Sequence, residues 1–175
     1  MQDNDAAEKK ALNIVQQLKE LSMTLALSES CTAGLISSLL AGIPGASAVL
    51  WGSYVCYTQE AKVSMLGLDN KELTSFGLVS KETVSSMAAM TLKKSGADIA
   101  VSITGLAGPD GDGSRVPVGT VWIAAYIKNG DISAREFHFE GSRNAVRLHA
   151  AIAALDLLQN AINGRPESID IKYRK

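Results

Sequence analysis

Short apolar runs alternate with helical patterns along nearly the whole chain, and this alternation restricts the fold most. Residues 23–28, 48–57 and 98–103 are apolar or β-branched runs of strand length. Residues 7–21 instead carry their apolar side chains on one stripe of a helix. Strands separated by helices are typical of a sheet that is covered by helices. The sequence therefore predicts an α/β protein.

The remaining segments complete this pattern and add an antiparallel part. Asn129-Gly130 separates two strand-like runs and is a strong hairpin signal. Further helices are predicted at 32–41, 58–66, 80–94 (capped by Ser80) and 141–162, and the hairpin strands at 120–127 and 132–139. We therefore expect a single-domain three-layer sandwich, in which a mixed, mostly parallel sheet has helices on both faces.

Length and composition fit one globular domain. The chain has 175 residues, of which 46% are hydrophobic and 20% charged, enough apolar material for a sizeable core. It contains no internal repeat, linker or low-complexity segment. We assign residues 1–165 to the domain and residues 166–175 to a polar C-terminal tail.

Charge and cysteine usage exclude several classes of function. The net charge is −1, without a basic stripe, which argues against nucleic acid and a membrane surface as partners. The apolar runs are too short to span a bilayer, and the charged N-terminus is unlike a secretory signal. Cys31 and Cys56 lack metal-ligand spacing. We expect a cytoplasmic protein with two reduced thiols and neither a metal nor a cofactor.

The first candidate site is the segment 28–34, where an apolar strand ends and a helix begins. Ser30 at such a place has free backbone N–H groups nearby, which suit a nucleophile and its oxyanion. Helix capping by Ser28, Ser30 or Thr32 is the commoner role, judged from this segment alone. Cys31 is a rival nucleophile, although a buried and inert cysteine is more usual.

A nucleophilic serine needs a base, and the chain offers few. His138 lies in a predicted strand and His149 in the last helix, so a Ser–His–Asp triad is weakly supported. Lys62 follows the end of a strand and is the alternative, since Ser–Lys pairs exist. It would have to be buried to lose its proton near neutral pH, whereas most lysines are solvated.

The loop 104–113, rich in glycine, is the second candidate site. Such a loop lets a ligand approach the backbone closely, and it does not have the pattern of a P-loop. A calcium loop counted from Asp110 fails, because Arg115 and Val121 stand where Gly and Glu are required. A plain surface turn remains the alternative.

Two arginines form the third candidate site. Arg143 and Arg147 are four residues apart, so they share one face at the start of a predicted helix. The helix dipole disfavours a cation there, which suggests an anionic partner such as phosphate. Surface arginines paired with acids are an equally good explanation.

Taken together, the motifs identify a family. The chain carries, in order, SESCTAG (28–34), PGAS (44–47), YTQEAK (57–62), TGLAGPDG (104–111), PVGTV (117–121) and GSRNAVR (141–147). This series resembles the C-terminal domain family of the competence/damage-inducible protein CinA, which includes stand-alone nicotinamide-nucleotide amidases (NMN deamidases). The resemblance covers residues 24–158. The chain has no room for the N-terminal domain of the longer relatives, so we expect the stand-alone form.

The resemblance implies an activity and roles for particular residues. The expected reaction is deamidation of nicotinamide mononucleotide to nicotinate mononucleotide and ammonia, by a Ser–Lys dyad and in pyridine nucleotide recycling for NAD biosynthesis. Ser30 would be the nucleophile, Lys62 the base and Tyr57 a further catalytic residue. The residues expected to hold the oxyanion or the substrate are Glu29, Cys31, Thr32, Ala33, Gly34, Thr104, Gly105, Ala107, Gly108, Arg143 and Arg147.

Three residues depart from the family pattern. Ala33 stands where relatives usually have Gly, Ser28 where Ala is usual and Cys56 where Thr is usual. All are small changes outside the expected dyad. If position 33 needs a positive φ, we expect Ala33 to tighten the turn slightly.

Two other classes of function stay open at this stage. A non-catalytic module of the same family would keep the pocket and bind a nucleotide or a protein. A competence or DNA-repair accessory factor is suggested by the family's name, and the net charge argues against direct contact with DNA. For the amidase we expect a small-molecule nucleotide as the partner and a homo-oligomer, because small α/β enzymes often pair.

Overall fold

The computed structural model describes residues 2–164, which form six helices and five strands. The helices are α1 (Gln2–Glu20), α2 (Leu35–Ala41), α3 (Gln59–Ala61, continued by a π-helical turn Lys62–Leu66), α4 (Asn70–Phe76), α5 (Lys81–Ser95) and α6 (Arg143–Ile162). The strands are β1 (Leu25–Glu29), β2 (Leu50–Val55), β3 (Ile99–Gly105), β4 (Thr120–Ile127) and β5 (Ile132–His138). The predicted tail, 166–175, lies outside the described residues.

All five strands form one mixed sheet in the order β2-β1-β3-β4-β5. The strand β1 pairs in parallel with both β2 and β3, whereas β4 is antiparallel to β3 and to β5. Four strands therefore run in one direction and only β4 runs against them. The predicted mixed sheet is confirmed, with the hairpin of β4 and β5 as its antiparallel part.

Helices cover both faces of the sheet, as predicted. On one face, α1, α2 and α6 pack over alternate side chains of the strands, such as Leu27 and Val101. On the other face, Val84 and Ala88 of α5 pack against Ala124 of β4. The connection from β1 to β2 thus runs over one face, and the connection from β2 to β3 runs over the other. The strand order reverses at β1, and ligands of open α/β sheets bind at such a switch point.

The sequence prediction differs from the structure at two helices. The helix α2 begins at Leu35 instead of residue 32, because residues 31–34 form a turn with positive φ at Ala33 and Gly34. The helix α4 was not predicted. It is short and buries only Leu73, so its apolar pattern is weak, although Asp69 caps it.

Within residues 2–164, no helix is both long and apolar enough to cross a membrane.

The predicted cap of α5 is confirmed and supports a stability prediction. The Ser80 hydroxyl accepts a hydrogen bond from the Thr83 amide at 3.1 Å. Ser80→Ala leaves this amide without its acceptor, so we expect the free energy of unfolding to fall by about 1 kcal/mol in urea titrations. Ser85→Ala, in the middle of the same helix, is the control and should change it by less than about 0.5 kcal/mol. Equal effects of the two changes would contradict the capping role.

Candidate functional site

Ser30 directly follows β1 at the carboxyl edge of the parallel part of the sheet. Its amide donates to the Ile103 carbonyl of β3 at 3.1 Å, and the neighbouring Glu29 carbonyl accepts from the Cys56 amide at 2.8 Å. The backbone at Ser30 is therefore held between the ends of β2 and β3. Its side chain is almost buried, with 6% of the residue exposed.

A tight turn follows Ser30 and reverses the chain into α2. Ala33 has a φ of 51° and Gly34 a φ of 91°, and the Ala33 amide donates to the Ser30 carbonyl at 3.0 Å. Position 33 thus does need the left-handed conformation, which L-residues other than Gly adopt at a cost. The condition stated for Ala33, a positive φ, is therefore met.

The Glu29 carboxylate occupies the N-terminus of α2. It is fully buried and accepts hydrogen bonds from the amides of Gly34, Ile36 and Ser37 at 2.9–3.1 Å, and from the Ser53 hydroxyl at 3.3 Å. A carboxylate at a helix N-terminus is stabilised by these amides and by the helix dipole. The anion-binding position at the N-terminus of α2 is therefore occupied by a side chain of the protein. This corrects the expectation for Gly34, whose amide is not free to hold the oxyanion.

Lys62 reaches Ser30 from the turn that follows β2. Thr58 caps α3 by accepting from the Ala61 amide at 3.1 Å, which directs the chain inward, and Lys62 opens a π-helical turn. Such turns occur frequently at functional sites. Lys62 is 1% exposed, and its Nζ donates to Ser30 Oγ at 3.0 Å and to the Cys56 carbonyl at 2.9 Å.

The surroundings of Lys62 favour its neutral form. Burial lowers the pKa of Lys62 from its ordinary value of 10.5, and the nearby Cys56 and Cys31 side chains oppose this only in part. Within residues 2–164, no carboxylate forms a salt bridge with this ammonium. Lys62 therefore gives up its proton at a lower pH than a surface lysine, as a general base must.

Cys31 lacks the properties of a nucleophile. Burial raises the pKa of its thiol to about 12, although the Cys31 and Thr32 amides and Lys62 act in the opposite direction. The thiolate, which is the reactive form, is therefore scarce at neutral pH. Of the two candidates in this segment, the geometry favours Ser30.

Two amides of the turn remain available to a ligand. The Cys31 and Thr32 N–H groups face the Cys31 sulfur, a weak acceptor, and in the described part of the chain they donate to no protein oxygen, unlike those of Ala33 and Gly34. The Thr32 hydroxyl is also buried and, among residues 2–164, has no hydrogen-bond partner. Unused donors beside a nucleophile are what an oxyanion requires.

The two arginines of α6 have different contacts. Arg143 donates to the Gly108 carbonyl at 2.7 Å and to the hydroxyl of Tyr57, which is half exposed. Arg147 donates to the carbonyls of Cys31 and Thr32. Arg143 thus joins Tyr57 to the loop, whereas Arg147 binds the turn after the nucleophile.

The glycine-rich loop is held close to the sheet. A side chain at Gly105 would come within 2.7 Å of Val121, and one at Gly108 within 2.6 Å of Val118. Gly108 also has a φ of 77°. Both glycines are therefore required by the close approach of Val121 and Val118, whereas the approach of a ligand to this loop stays a prediction. Ala107 lies buried in the main core.

Thr104 has a structural contact. Its side chain is buried, and the hydroxyl donates to the Leu78 carbonyl at 2.7 Å, which ties the end of β3 to the segment before α5. The structure thus places Thr104 at the carboxyl edge of the sheet, with its hydroxyl directed to the backbone.

The two histidines take no part in this arrangement. His138 ends β5, opposite Thr120, and His149 lies against the ring of Phe139 and 3.7 Å from an Asp3 carboxylate oxygen. Across residues 2–164, no group of three or more His, Cys, Asp or Glu side chains is placed to hold a metal ion.

The fold and the site together define an α/β protein with a buried Ser–Lys pair at the switch point of its sheet. The model of the CinA C-terminal domain family matches residues 7–162, so the chain belongs to that family. A CinA-like protein of Kosmotoga olearia is 39% identical over 149 residues, which are 85% of this chain and 36% of that protein. A putative competence-damage inducible protein of Caldicellulosiruptor saccharolyticus is 42% identical, with the same coverage of each chain. The chain thus spans about a third of the length of these relatives.

Solved structures support the same assignment. The competence/damage inducible protein CihA of Agrobacterium tumefaciens has a TM-score of 0.86 at 38% identity, covering 90% of this chain and 96% of that one. A CinA superfamily protein of Escherichia coli has a TM-score of 0.85 at 29% identity, covering 89% and 90%. The predicted family and fold are therefore confirmed.

The strained turn leads to a stability prediction. Ala33→Gly relieves the left-handed strain of about 1–2 kcal/mol, while the freer unfolded chain costs about 0.4–1 kcal/mol. We therefore expect the free energy of unfolding to rise by roughly 0.5–1 kcal/mol in urea titrations. Ala88→Gly, in the middle of α5, is the opposite control and should be destabilising. A loss of stability in Ala33→Gly would contradict the assigned strain.

Proposed function

We propose that this protein is an amidase that hydrolyses the carboxamide of nicotinamide mononucleotide, with Ser30 as nucleophile and Lys62 as base. The carrying observation is the hydrogen bond of 3.0 Å between Lys62 Nζ and Ser30 Oγ, both of them buried. The choice of substrate is supported by the resemblance to the nicotinamide-nucleotide amidases of the family. The products are nicotinate mononucleotide and ammonia.

The first half of the reaction forms an acyl-enzyme. Neutral Lys62 takes the hydroxyl proton as Ser30 Oγ bonds to the amide carbon. The carbonyl oxygen becomes an oxyanion, which we assign to the N–H groups of Cys31 and Thr32, because among the described residues these two amides donate to no protein oxygen. Lys62 then protonates the amide nitrogen, the C–N bond breaks, and ammonia leaves.

The second half returns the enzyme to its starting state. Lys62, neutral again, takes a proton from water as the water oxygen bonds to the acyl carbon. The bond to Ser30 Oγ breaks, and Lys62 returns the proton to this oxygen. The carboxylic acid product then ionises. The Cys56 carbonyl accepts from Lys62 Nζ and so holds the amine in place for both transfers.

The rest of the substrate is assigned to Arg143, Tyr57 and the loop. Arg143 uses two of its five N–H donors on Gly108 and Tyr57, so three remain for an anionic group such as the nucleotide phosphate. Tyr57 is half exposed and offers a ring to the pyridinium. Its neighbour Cys56 binds Lys62, which places this surface beside the dyad.

Ammonia release from nicotinamide mononucleotide tests the proposal. We expect the purified protein to release ammonia, and Ser30→Ala and Lys62→Met each to lower kcat by about 10³-fold or more, because a nucleophile and its base act as a unit. Lys62→Met keeps most of the buried aliphatic stem. Cys31→Ala removes only the thiol and should keep most of the activity.

Three results would contradict the proposal. They are full activity in Ser30→Ala, an acyl group trapped on Cys31, or no release by a folded wild type. The last result would favour the non-catalytic module, which circular dichroism of the same sample would separate from misfolding.

The lowered pKa of Lys62 predicts the pH dependence. Because the neutral amine is the active form, kcat/KM should fall as the pH is lowered through the Lys62 pKa, and the midpoint should lie below 10.5. Lys62→Arg stays protonated and should be inactive across the whole range. A midpoint at the ordinary lysine pKa would contradict the lowered pKa of Lys62, and the absence of an acid limb would contradict its role as a base.

A further inference from the structure

Arg147 is bound to the turn that follows the nucleophile. Its Nε donates to the Cys31 carbonyl at 3.1 Å and its Nη2 to the Thr32 carbonyl at 2.8 Å. Its Nη1 lies 3.4 Å from the Asn144 side-chain oxygen, one turn earlier in α6. In the described part of the chain, no carboxylate forms a salt bridge with Arg147. The positively charged guanidinium of Arg147 therefore lies against two backbone carbonyls.

These two bonds fix the direction of two N–H groups. In a trans peptide the carbonyl and the following N–H point in opposite directions. The bond to the Thr32 carbonyl fixes the peptide of the Ala33 amide, which donates to Ser30 O at 3.0 Å. The bond to the Cys31 carbonyl in the same way fixes the peptide that carries the Thr32 N–H, which has no protein oxygen as acceptor among the described residues. Arg147 thus holds an unused donor on the far side of the turn from itself.

A cationic side chain binds the carbonyls of this turn, and an anionic side chain binds its amides. Arg147 binds carbonyls of residues 31 and 32, while the buried Glu29 carboxylate binds amides of residues 34, 36 and 37. Charged partners make the stronger hydrogen bonds, and they also polarise the peptides that they bind. A turn held in this way keeps its remaining N–H groups fixed without paying for reorganisation during a reaction.

We propose that Arg147 is a positioning residue, which aims the Thr32 N–H, and with it the Cys31 N–H, at the oxyanion formed on the group attached to Ser30. Substrate anchoring was one of the roles expected for Arg147 from the sequence. In the present proposal Arg147 instead orients the backbone of the protein. The inference rests on the proposed function only in taking Ser30 as the nucleophile. It does not depend on which amide is the substrate.

A fluorophosphonate probe tests this role without the substrate. Ser30 Oγ bonds to phosphorus, the P–F bond breaks, fluoride leaves, and the hydroxyl proton passes to Lys62, while the phosphoryl oxygen takes the oxyanion position. We expect Arg147→Lys to slow labelling by about 10- to 100-fold, because one ammonium cannot bind both carbonyls as the planar guanidinium does. Arg115→Met, which removes an exposed arginine, should label at the wild-type rate.

The kinetics with nicotinamide mononucleotide separate positioning from anchoring. A positioning residue predicts that Arg147→Lys lowers kcat with KM changed by less than about threefold. Arg147→Ala should be rescued in part by added ethylguanidinium, which no general loss of folding would allow. Urea titrations measure the free energy of unfolding of each variant and so show how much of each kinetic effect comes from a loss of stability.

Two outcomes would overturn the inference. One is a raised KM with an unchanged kcat and an unchanged labelling rate in Arg147→Lys, which is the result for a phosphate anchor. The other is a wild type whose Ser30 does not react with the probe. A wild type that is labelled at Ser30 but releases no ammonia would overturn the proposed substrate alone, and the effect of Arg147 on labelling would still decide its role.

Discussion

The burial of a lysine amine against a serine hydroxyl is the constraint on which the site depends. An ammonium group away from water is costly, so the fold must either pair it with an anion or lower its pKa. Here Lys62 is held by the Ser30 hydroxyl and the Cys56 carbonyl, both of them uncharged. An anion in place of either group would raise the pKa of Lys62 and keep its proton on. The neutral partners therefore suit the role of base that we propose for Lys62.

The carboxyl edge of the sheet makes this contact possible. Because β1 lies between β2 and β3, the residues that follow these strands meet at one place. Ser30 comes from the end of β1 and Lys62 from the turn after β2, and Thr104 is the last but one residue of β3. The Glu29 carboxylate accepts hydrogen bonds from amides at the N-terminus of α2. These amides therefore hold the turn in place and are not free to bind another anion. The substrate is left with the donors that neither Glu29 nor the turn itself uses.

The sequence allowed the fold to be predicted well, because its strongest signals are local. Asn129-Gly130 marked the hairpin, Ser80 marked the start of α5, and the short apolar runs marked the strands. The site could be predicted only as a set of candidates, because its properties come from distant contacts. Two such properties are the burial of Lys62 and the position of the Glu29 carboxylate at the N-terminus of α2. Each depends on residues far apart in sequence or on the orientation of a side chain. The family motifs indicated Ser30 and Lys62, but only the structure shows that Lys62 is buried against the Ser30 hydroxyl.

The same residues that suit the site to chemistry cost the protein stability. Ala33 adopts a conformation that favours glycine, Lys62 is buried without an anion, and the Thr32 hydroxyl is buried without a partner among the described residues. Each of these features is destabilising by itself, and all three lie within or against the turn after β1. Strained or unsatisfied groups persist only where the surrounding structure enforces them. Here Glu29 binds amides of the turn and Arg147 binds its carbonyls, so the strained conformation is held from both sides, as our proposal for a developing charge requires.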